Sequence, residues 1–396
     1  MDSKISEVYI LSSSRTPIGG YGGSLGSVPA ATLGAAAIKA ALNKSGIPFA
    51  DVQGVAMGNV LSANVGQAPA RQASIMAGLP HGVCATTVNK VCASGLKAVS
   101  MIFQDLSLRN IGVGVAGGME NMSLVPFYVA GARFGLGYGN NHLIDGLAVD
   151  GLTDVYNQKA MGVFADKTAD LFAINRTMQD DFAEVSYRRS QEAWQSGAFD
   201  DEVTSVLVPQ KRGEPIPFCK DDECPKADFD KMRKLKPAFS SHGSVTAANA
   251  SPMSDGASAL VLANEDYVNA KAIKPLARII SYAEAEQEPS LFTTTPVLAT
   301  QKALAKAGLS VDSIDFFEVN EAFSVVPLVY MQLLNIPLEK VNVLGGAVSM
   351  GHPLGASGAR ILTTLTNVLI RRNGRYGVAA ICNGGGGASA IVIEKL

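Results

Sequence analysis

The chain has 396 residues, 47% of them hydrophobic, and a net charge of −2, enough for two domains or one duplicated domain. Charged residues make up only 17%, against about 25% in an average globular protein, which points to a large core and a homo-oligomer. The near-neutral balance argues against nucleic acid or an acidic membrane surface as partner, and no run of about 18 uninterrupted apolar residues offers a membrane span.

Five cysteines, Cys84, Cys92, Cys219, Cys224 and Cys382, form an odd set without a metal-like CxxC pair, so zinc is not expected and a reducing compartment fits. The first residues run directly into an apolar, strand-like stretch, with no signal region or Arg-rich presequence. Glu394-Lys395-Leu396 is a poor relative of the Ser-Lys-Leu address. The expected location is the cytosol.

In chain order, residues 8–11 read as a strand and residues 32–44 as a helix that stops before Gly46. Residues 52–60 follow as a strand, 70–77 as a helix, and 111–116 as a strand entering a tight turn at Gly117-Gly118. Strands alternating with helices predict a buried, partly parallel sheet. From residue 122 to residue 253 the alternation stops. Thr177 with Asp180 has the spacing of a capping box for a helix bearing Phe182, Val185 and Trp194, and residues 226–236 hold five basic side chains in loop-like sequence.

The plan then resumes. Residues 277–282 read as a strand, 297–307 as a helix closed by Gly308, 316–319 and 341–344 as strands, 361–370 as a helix, and 377–381 as a strand leading into Gly384. Cys92-Ala93-Ser94-Gly95 and Gly355-Ala356-Ser357-Gly358 each open an apolar helix, and the Gly117 and Gly384 runs each follow an apolar strand. This is the pattern of an internal duplication. Residues 1–121 with 254–275 form one half, 276–396 the other, and 122–253 an inserted loop domain.

Three glycine-bearing segments carry the candidate chemistry. Cys92 precedes a helix, where the dipole and free N–H groups should lower a thiol's pKa, although a small buried core residue fits as well. His352, beside Gly351 and Pro353, is either a base for that thiol or an ordinary loop histidine. Cys382 enters four glycines that can aim backbone N–H groups inward, as an oxyanion hole beside a second thiol or as a plain tight turn. Asn320 and Glu321 follow a strand, where Asn320 can polarise a carbonyl, hold a water, or cap the next helix.

These segments belong to a wider set of motifs: Arg15-Thr16-Pro17-Ile18-Gly19, Gly66-Gln67-Ala68-Pro69-Ala70-Arg71-Gln72, residues 88–97, Ala116-Gly117-Gly118-Met119-Glu120, Asn320-Glu321-Ala322-Phe323, Gly345-Gly346-Ala347, residues 351–360 and residues 382–388. Together they resemble the thiolases over almost the whole chain, in particular the short-chain acetyl-CoA acetyltransferases of the eukaryotic cytosol that feed isoprenoid and sterol synthesis.

The resemblance implies an α/β thiolase fold, five-layered αβαβα, built from two similar halves. It implies a ping-pong reaction in which His352 activates Cys92, Cys92 carries the acetyl group, and Cys382 takes a proton from a second acetyl-CoA. His352 with a water on Asn320 would serve the enolate oxygen, and the N–H groups of Cys92 and Gly384 the tetrahedral intermediate. Acetyl-CoA, acetoacetyl-CoA and CoA would be the ligands, with Ser251 on the pantetheine arm and Tyr187 and Lys231 along the CoA path. No cofactor is required, but some relatives hold a potassium ion, and the matching positions are Tyr187, Ala247, Ala248, Ala250 and Val348. The expected assembly is a homotetramer, a dimer of dimers. Ala160 stands where many thiolases carry histidine, which opens the question of acyl-chain length. The competing readings are a broad-range 3-ketoacyl-CoA thiolase of fatty-acid degradation and a non-catalytic acyl-CoA-binding protein.

Overall fold

The computed structural model describes residues 5–396. The first half contributes strands β1 (Val8–Arg15), β2 (Gly54–Gly58), β3 (Cys84–Val88), β4 (Val113–Asn121) and β5 (Ser254–Asn264). The second contributes β6 (Ala277–Glu286), β7 (Phe316–Val319), β8 (Tyr376–Asn383) and β9 (Gly387–Lys395). They form one sheet in the order β7-β8-β9-β6-β1-β5-β4-β2-β3. β2 pairs in parallel with β3 and β4, and β7 with β8, while the remaining pairs of this path are antiparallel.

Read outward from the β1–β6 pair, the order in one half repeats that in the other: β1, β5, β4, β2 against β6, β9, β8, β7. The expected duplication is therefore visible in the strand order. β5 is buried along its whole length, as a strand covered on both faces must be.

The helices make the layers. α1 (Ala30–Ser45) and α2 (Pro69–Met76) cover the outer face of the first half. α1 ends at Gly46, whose φ of 68° fits the left-handed cap. α3 (Ser94–Ser107) lies in the middle layer with the last long helix, Leu354–Arg371. In the insertion come α4 (Met161–Leu171) and α5 (Arg176–Gln195). α6 (Thr295–Ala307) and α7 (Val325–Leu334) cover the outer face of the second half, and Leu354–Arg371 is α8. Leu96, Val99 and Ile102 of α3 and Ile361 and Leu365 of α8 share one core with Ile10, Leu260, Ile279, Ile381 and Ile391 from both halves of the sheet. The expected five layers follow from these three cores.

Four local expectations are corrected. Gly117 and Gly118 lie inside β4 rather than in a turn. They are glycines because a Cβ on Gly117 would sit 2.2 Å from Ser258 O, and one on Gly118 1.9 Å from Gly355 O. The run before Gly384, by contrast, does end a strand, so the two glycine runs are not equivalent. Residues 341–344 form only isolated bridges. Asn342 there has a φ of 48°, and its side chain takes over the ladder, accepting from Val319 N at 2.7 Å and donating to Val319 O at 2.8 Å. Finally, α5 is capped by Asn175, which accepts from Met178 N at 3.0 Å. Thr177 lies within that helix, and Asp180 pairs with Arg176 at 2.7 Å.

Residues 122–253 lie between β4 and β5, which are neighbours in the sheet. Phe164 and Ala165 of α4 join the core of the second half, and Val206 joins that of the first, so the insertion straddles both.

Candidate active site

Cys92 is presented by a strained turn. Val91, a β-branched residue, has a φ of 47°, an unfavourable region for such a side chain. Asn89 Oδ1 holds it by accepting from Val91 N at 3.0 Å, and Ser94 Oγ by accepting from Lys90 N at 2.8 Å and donating to Val91 O at 2.6 Å. The thiol is half-buried in a cavity of about 620 Å³ that also touches His352, Cys382, Gly384, Ser251 and Ala160.

The backbone N–H groups of Gly384 and Cys92 reach this sulfur and favour its thiolate, but burial outweighs them and pushes the thiol up to about 12. The helix N-terminus was expected to lower it; desolvation wins because protein encloses the sulfur. The thiol therefore keeps its proton until a base removes it.

His352 is the candidate for that base, since it lines the same cavity. Its ring sits at the start of α8, brought to Cys92 by the crossing of α3 and α8. That crossing is close enough that a Cβ on Gly95 would lie 2.7 Å from Ala359 N, and one on Gly358 2.3 Å from Leu96 N. His352 Nδ1 lies 2.5 Å from Ser357 Oγ. Ser357 donates its own hydrogen to Pro353 O at 2.9 Å, so it accepts from Nδ1–H and the tautomer is fixed. Nε2 is left with a lone pair. Burial, with the Arg360 guanidinium, pulls the imidazole down to about 3, so the ring is neutral in the resting site.

Asn320 Nδ2 lies 3.4 Å from His352 Nε2, and the buried Asn320 Oδ1 has no hydrogen-bond partner among the described residues. The capping alternative is excluded, because the N-cap of α7 is Ser324. Glu321 is an anchor, accepting from Ser186 Oγ and Asn342 Nδ2, each at 2.8 Å, and from Val348 N at 3.0 Å. Cys382 ends β8 fully buried, and burial together with the neighbouring Cys92 raises its thiol. Gly384 lines the cavity just beyond it.

Glu120 escaped the sequence reading except as part of a motif. Its buried carboxylate takes four donors: Asn59 Nδ2 at 2.7 Å, Val60 N at 3.0 Å, Leu61 N at 3.1 Å and Gly355 N at 2.8 Å. It thereby ties β4 to the start of α8. Ser357 was likewise read only as a helix opener; a hydroxyl one turn after His352 was the available signal.

The residues expected to hold CoA and potassium are more spread. Ser251 lines the cavity and donates to Ala322 O at 2.9 Å. Ala247 and Ala250 line it too. Tyr187 packs behind this wall with Ala248 and Val348. Lys231 is exposed, in the short helix Phe229–Met232, and does not line the cavity. Ala160 does, with Met161, Leu152, Phe292 and Phe323.

Comparison with known proteins agrees with this geometry. Residues 8–266 match the family model for the thiolase N-terminal domain, and residues 273–395 that for the thiolase C-terminal domain. Acetyl-CoA acetyltransferase 2 of Arabidopsis thaliana is 53% identical over 98% of this chain and 97% of its own length. The cytosolic acetyl-CoA acetyltransferase ERG10 of Gibberella zeae is 48% identical over 98% of each. The crystal structure of the Acat5 thiolase from Ascaris suum in complex with coenzyme A superposes with a TM-score of 0.94 at 43% identity, covering 98% of this chain and 100% of that one. With both halves matched and the two thiols, the imidazole and the glycine loop meeting in one cavity, the chain belongs to the thiolase family.

Proposed function

We propose that the protein is an acetyl-CoA C-acetyltransferase, joining two acetyl-CoA into acetoacetyl-CoA plus CoA and running the reverse thiolysis. The observation that carries this is the pair of thiols in one cavity, Cys92 with a neutral imidazole and two N–H donors, Cys382 beside it. The names of the relatives supply the substrate class.

The protonation states order the steps. His352 Nε2 takes the Cys92 proton as the sulfur attacks the first thioester, and the N–H groups of Cys92 and Gly384 hold the oxyanion. Collapse expels the CoA thiolate, which takes its proton from Cys382. The Cys382 thiolate then removes a methyl proton from the second acetyl-CoA. Its enolate oxygen faces the His352 imidazolium and a water on Asn320. The enolate carbon attacks acetyl-Cys92, and the released Cys92 thiolate recovers its proton from His352. Each proton is returned.

Ser251 would meet the pantetheine arm, and Tyr187 and Lys231 the rest of CoA. A potassium ion would sit in the wall behind. Among the described residues no hydrogen bond reaches the carbonyls of Ala247, Ala248 or Ala250, and the neutral oxygen set they make with Tyr187 and Val348 suits a monovalent ion. It would stiffen that wall and take no part in the bond changes.

A homotetramer is supported by two surfaces. β3 ends the sheet with a partly exposed ladder, and the arm around Phe127–Tyr128 and Ile144–Asp145 exposes Phe134, Leu136, Tyr138 and Leu143. No described helix is long and apolar enough to cross a membrane. The cytosol fits the name of the Gibberella zeae relative, and an acetoacetyl-CoA product would suit the first step towards mevalonate and sterols.

The test is CoA-dependent cleavage of acetoacetyl-CoA beside a long-chain 3-ketoacyl-CoA, with Cys92→Ala as control. Fast cleavage of the four-carbon substrate alone, lost in the variant, is expected. Comparable cleavage of both would move the assignment to a degradative thiolase, and cleavage of neither to a binding protein.

A further inference from the structure

Cys92 and Gly384 line the same cavity, the backbone N–H groups of both favour the Cys92 thiolate, and they come from opposite halves of the chain. The Gly384 donor precedes Gly385 and Gly386, whose φ values are 86° and 89°, so the loop has little stiffness of its own. The Asn383–Gly387 pairing of β8 with β9 closes it, Asn383 Nδ2 donates to Gly384 O at 2.8 Å, and from outside the hairpin it is held by one stretch, residues 286–295, linking β6 to α6. Gln287 N donates to Gly386 O at 3.0 Å, and the buried Thr295 Oγ1 donates to the same carbonyl at 3.0 Å. Thr295 Oγ1 also accepts from Gln287 Nε2 at 2.8 Å, and Gly386 O is the nearer acceptor for its hydrogen, with Leu291 O at 3.4 Å the longer one. The fit is close, since a Cβ on Gly386 would lie 2.2 Å from Gln287 O.

The same stretch reaches the other donor. Glu286 Oε1 accepts from Lys90 Nζ at 2.5 Å, and Lys90 stands two residues before Cys92 in the turn that aims the Cys92 N–H. One short segment thus touches both loops on which the oxyanion donors sit.

We propose that residues 286–295 are a brace that sets the spacing of the Cys92 and Gly384 N–H groups, with Thr295 as its principal positioning residue. Its effect on turnover rests on the acyl-transfer reading. Its effect on the sulfur does not, because the Gly384 N–H favours the thiolate whatever the substrate.

Thr295→Val keeps the shape and removes the hydroxyl; Thr295→Ser keeps the hydroxyl; Thr295→Ala replaces the valine variant if that fails to fold. Two quantities are measured: the rate at which iodoacetamide alkylates Cys92 at fixed pH, followed on the Cys92 peptide by mass spectrometry, and kcat and KM for acetoacetyl-CoA cleavage. Thr295→Val should slow alkylation and kcat by roughly 10-fold with KM within about twofold, a fraction of the loss when a whole oxyanion donor is removed. Thr295→Ser should restore both. Alkylation unchanged in Thr295→Val, or an equal loss in Thr295→Ser, would overturn the brace. Alkylation slowed and then restored, with no cleavage by the wild type, would uphold the brace and sink the acyl-transfer reading instead.

Discussion

Ser357 Oγ accepts from His352 Nδ1 at 2.5 Å while giving its own hydrogen to Pro353 O, and this pair of bonds leaves Nε2 with its lone pair, 3.4 Å from Asn320 Nδ2. Ser357→Ala frees the ring to flip or change tautomer. We expect kcat to fall roughly 10- to 100-fold with little change in KM, since the loss is in orientation and tautomer rather than binding. A steady-state comparison checks this, and an unchanged kcat would mean that something other than Ser357 sets the tautomer.

The same imidazole makes stability depend on pH. In the folded chain burial holds His352 near 3, against 6.5 for the ordinary side chain. Below 6.5 the unfolded chain binds a proton that the folded chain refuses, so this stabilisation is lost as pH falls from 6.5 towards 3, by up to about 1.4 kcal/mol per unit. Urea melts at several pH values should show a shallower acid slope for His352→Gln than for wild type. Identical slopes would show that the ring is solvated.

Ala160 lines the cavity beside Met161 and Gly162. Ala160→His places an imidazole there and takes up volume. Acyl preference or substrate affinity should change, read as kcat/KM for three- and four-carbon and longer acyl-CoA substrates. Unchanged kinetics would remove this position from the acyl pocket.

The close approach of α8 to β4 depends on Gly118. A methyl there would meet backbone, Gly355 O at 1.9 Å, which cannot move aside as a side-chain tip can. Gly118→Ala should cost about 3 kcal/mol or more by overpacking, measured by chemical denaturation. A cost below about 1 kcal/mol would mean that α8 can shift off β4 freely.

The sequence made the alternating strands and helices legible because apolar periodicity and glycine stops are local signals, as at Gly46 and Gly308. It also brought out Cys92, His352, Cys382 and Asn320, since reactive residue types beside glycine stand out. It failed where the cause was remote in the chain. Gly117 and Gly118 looked like a turn because the carbonyls they face belong to β5 and α8. Residues 341–344 looked like a strand because the left-handed Asn342 carries no apolar signature. The Cys92 thiol was misjudged because helix position is local, whereas the burial that overrides it is assembled from both halves. Glu120 and Ser357 act only through partners that folding supplies.

The most direct test of the account is where the acetyl group goes. Cys382→Ala is incubated with acetyl-CoA, quenched in acid, and the cysteine peptides are read by mass spectrometry. The account predicts acetyl on the Cys92 peptide, accumulating because removal of the methyl proton of the second acetyl-CoA is blocked, while the expelled CoA thiolate takes its proton from water in this variant. Acetyl on another cysteine, or none on Cys92, would contradict it.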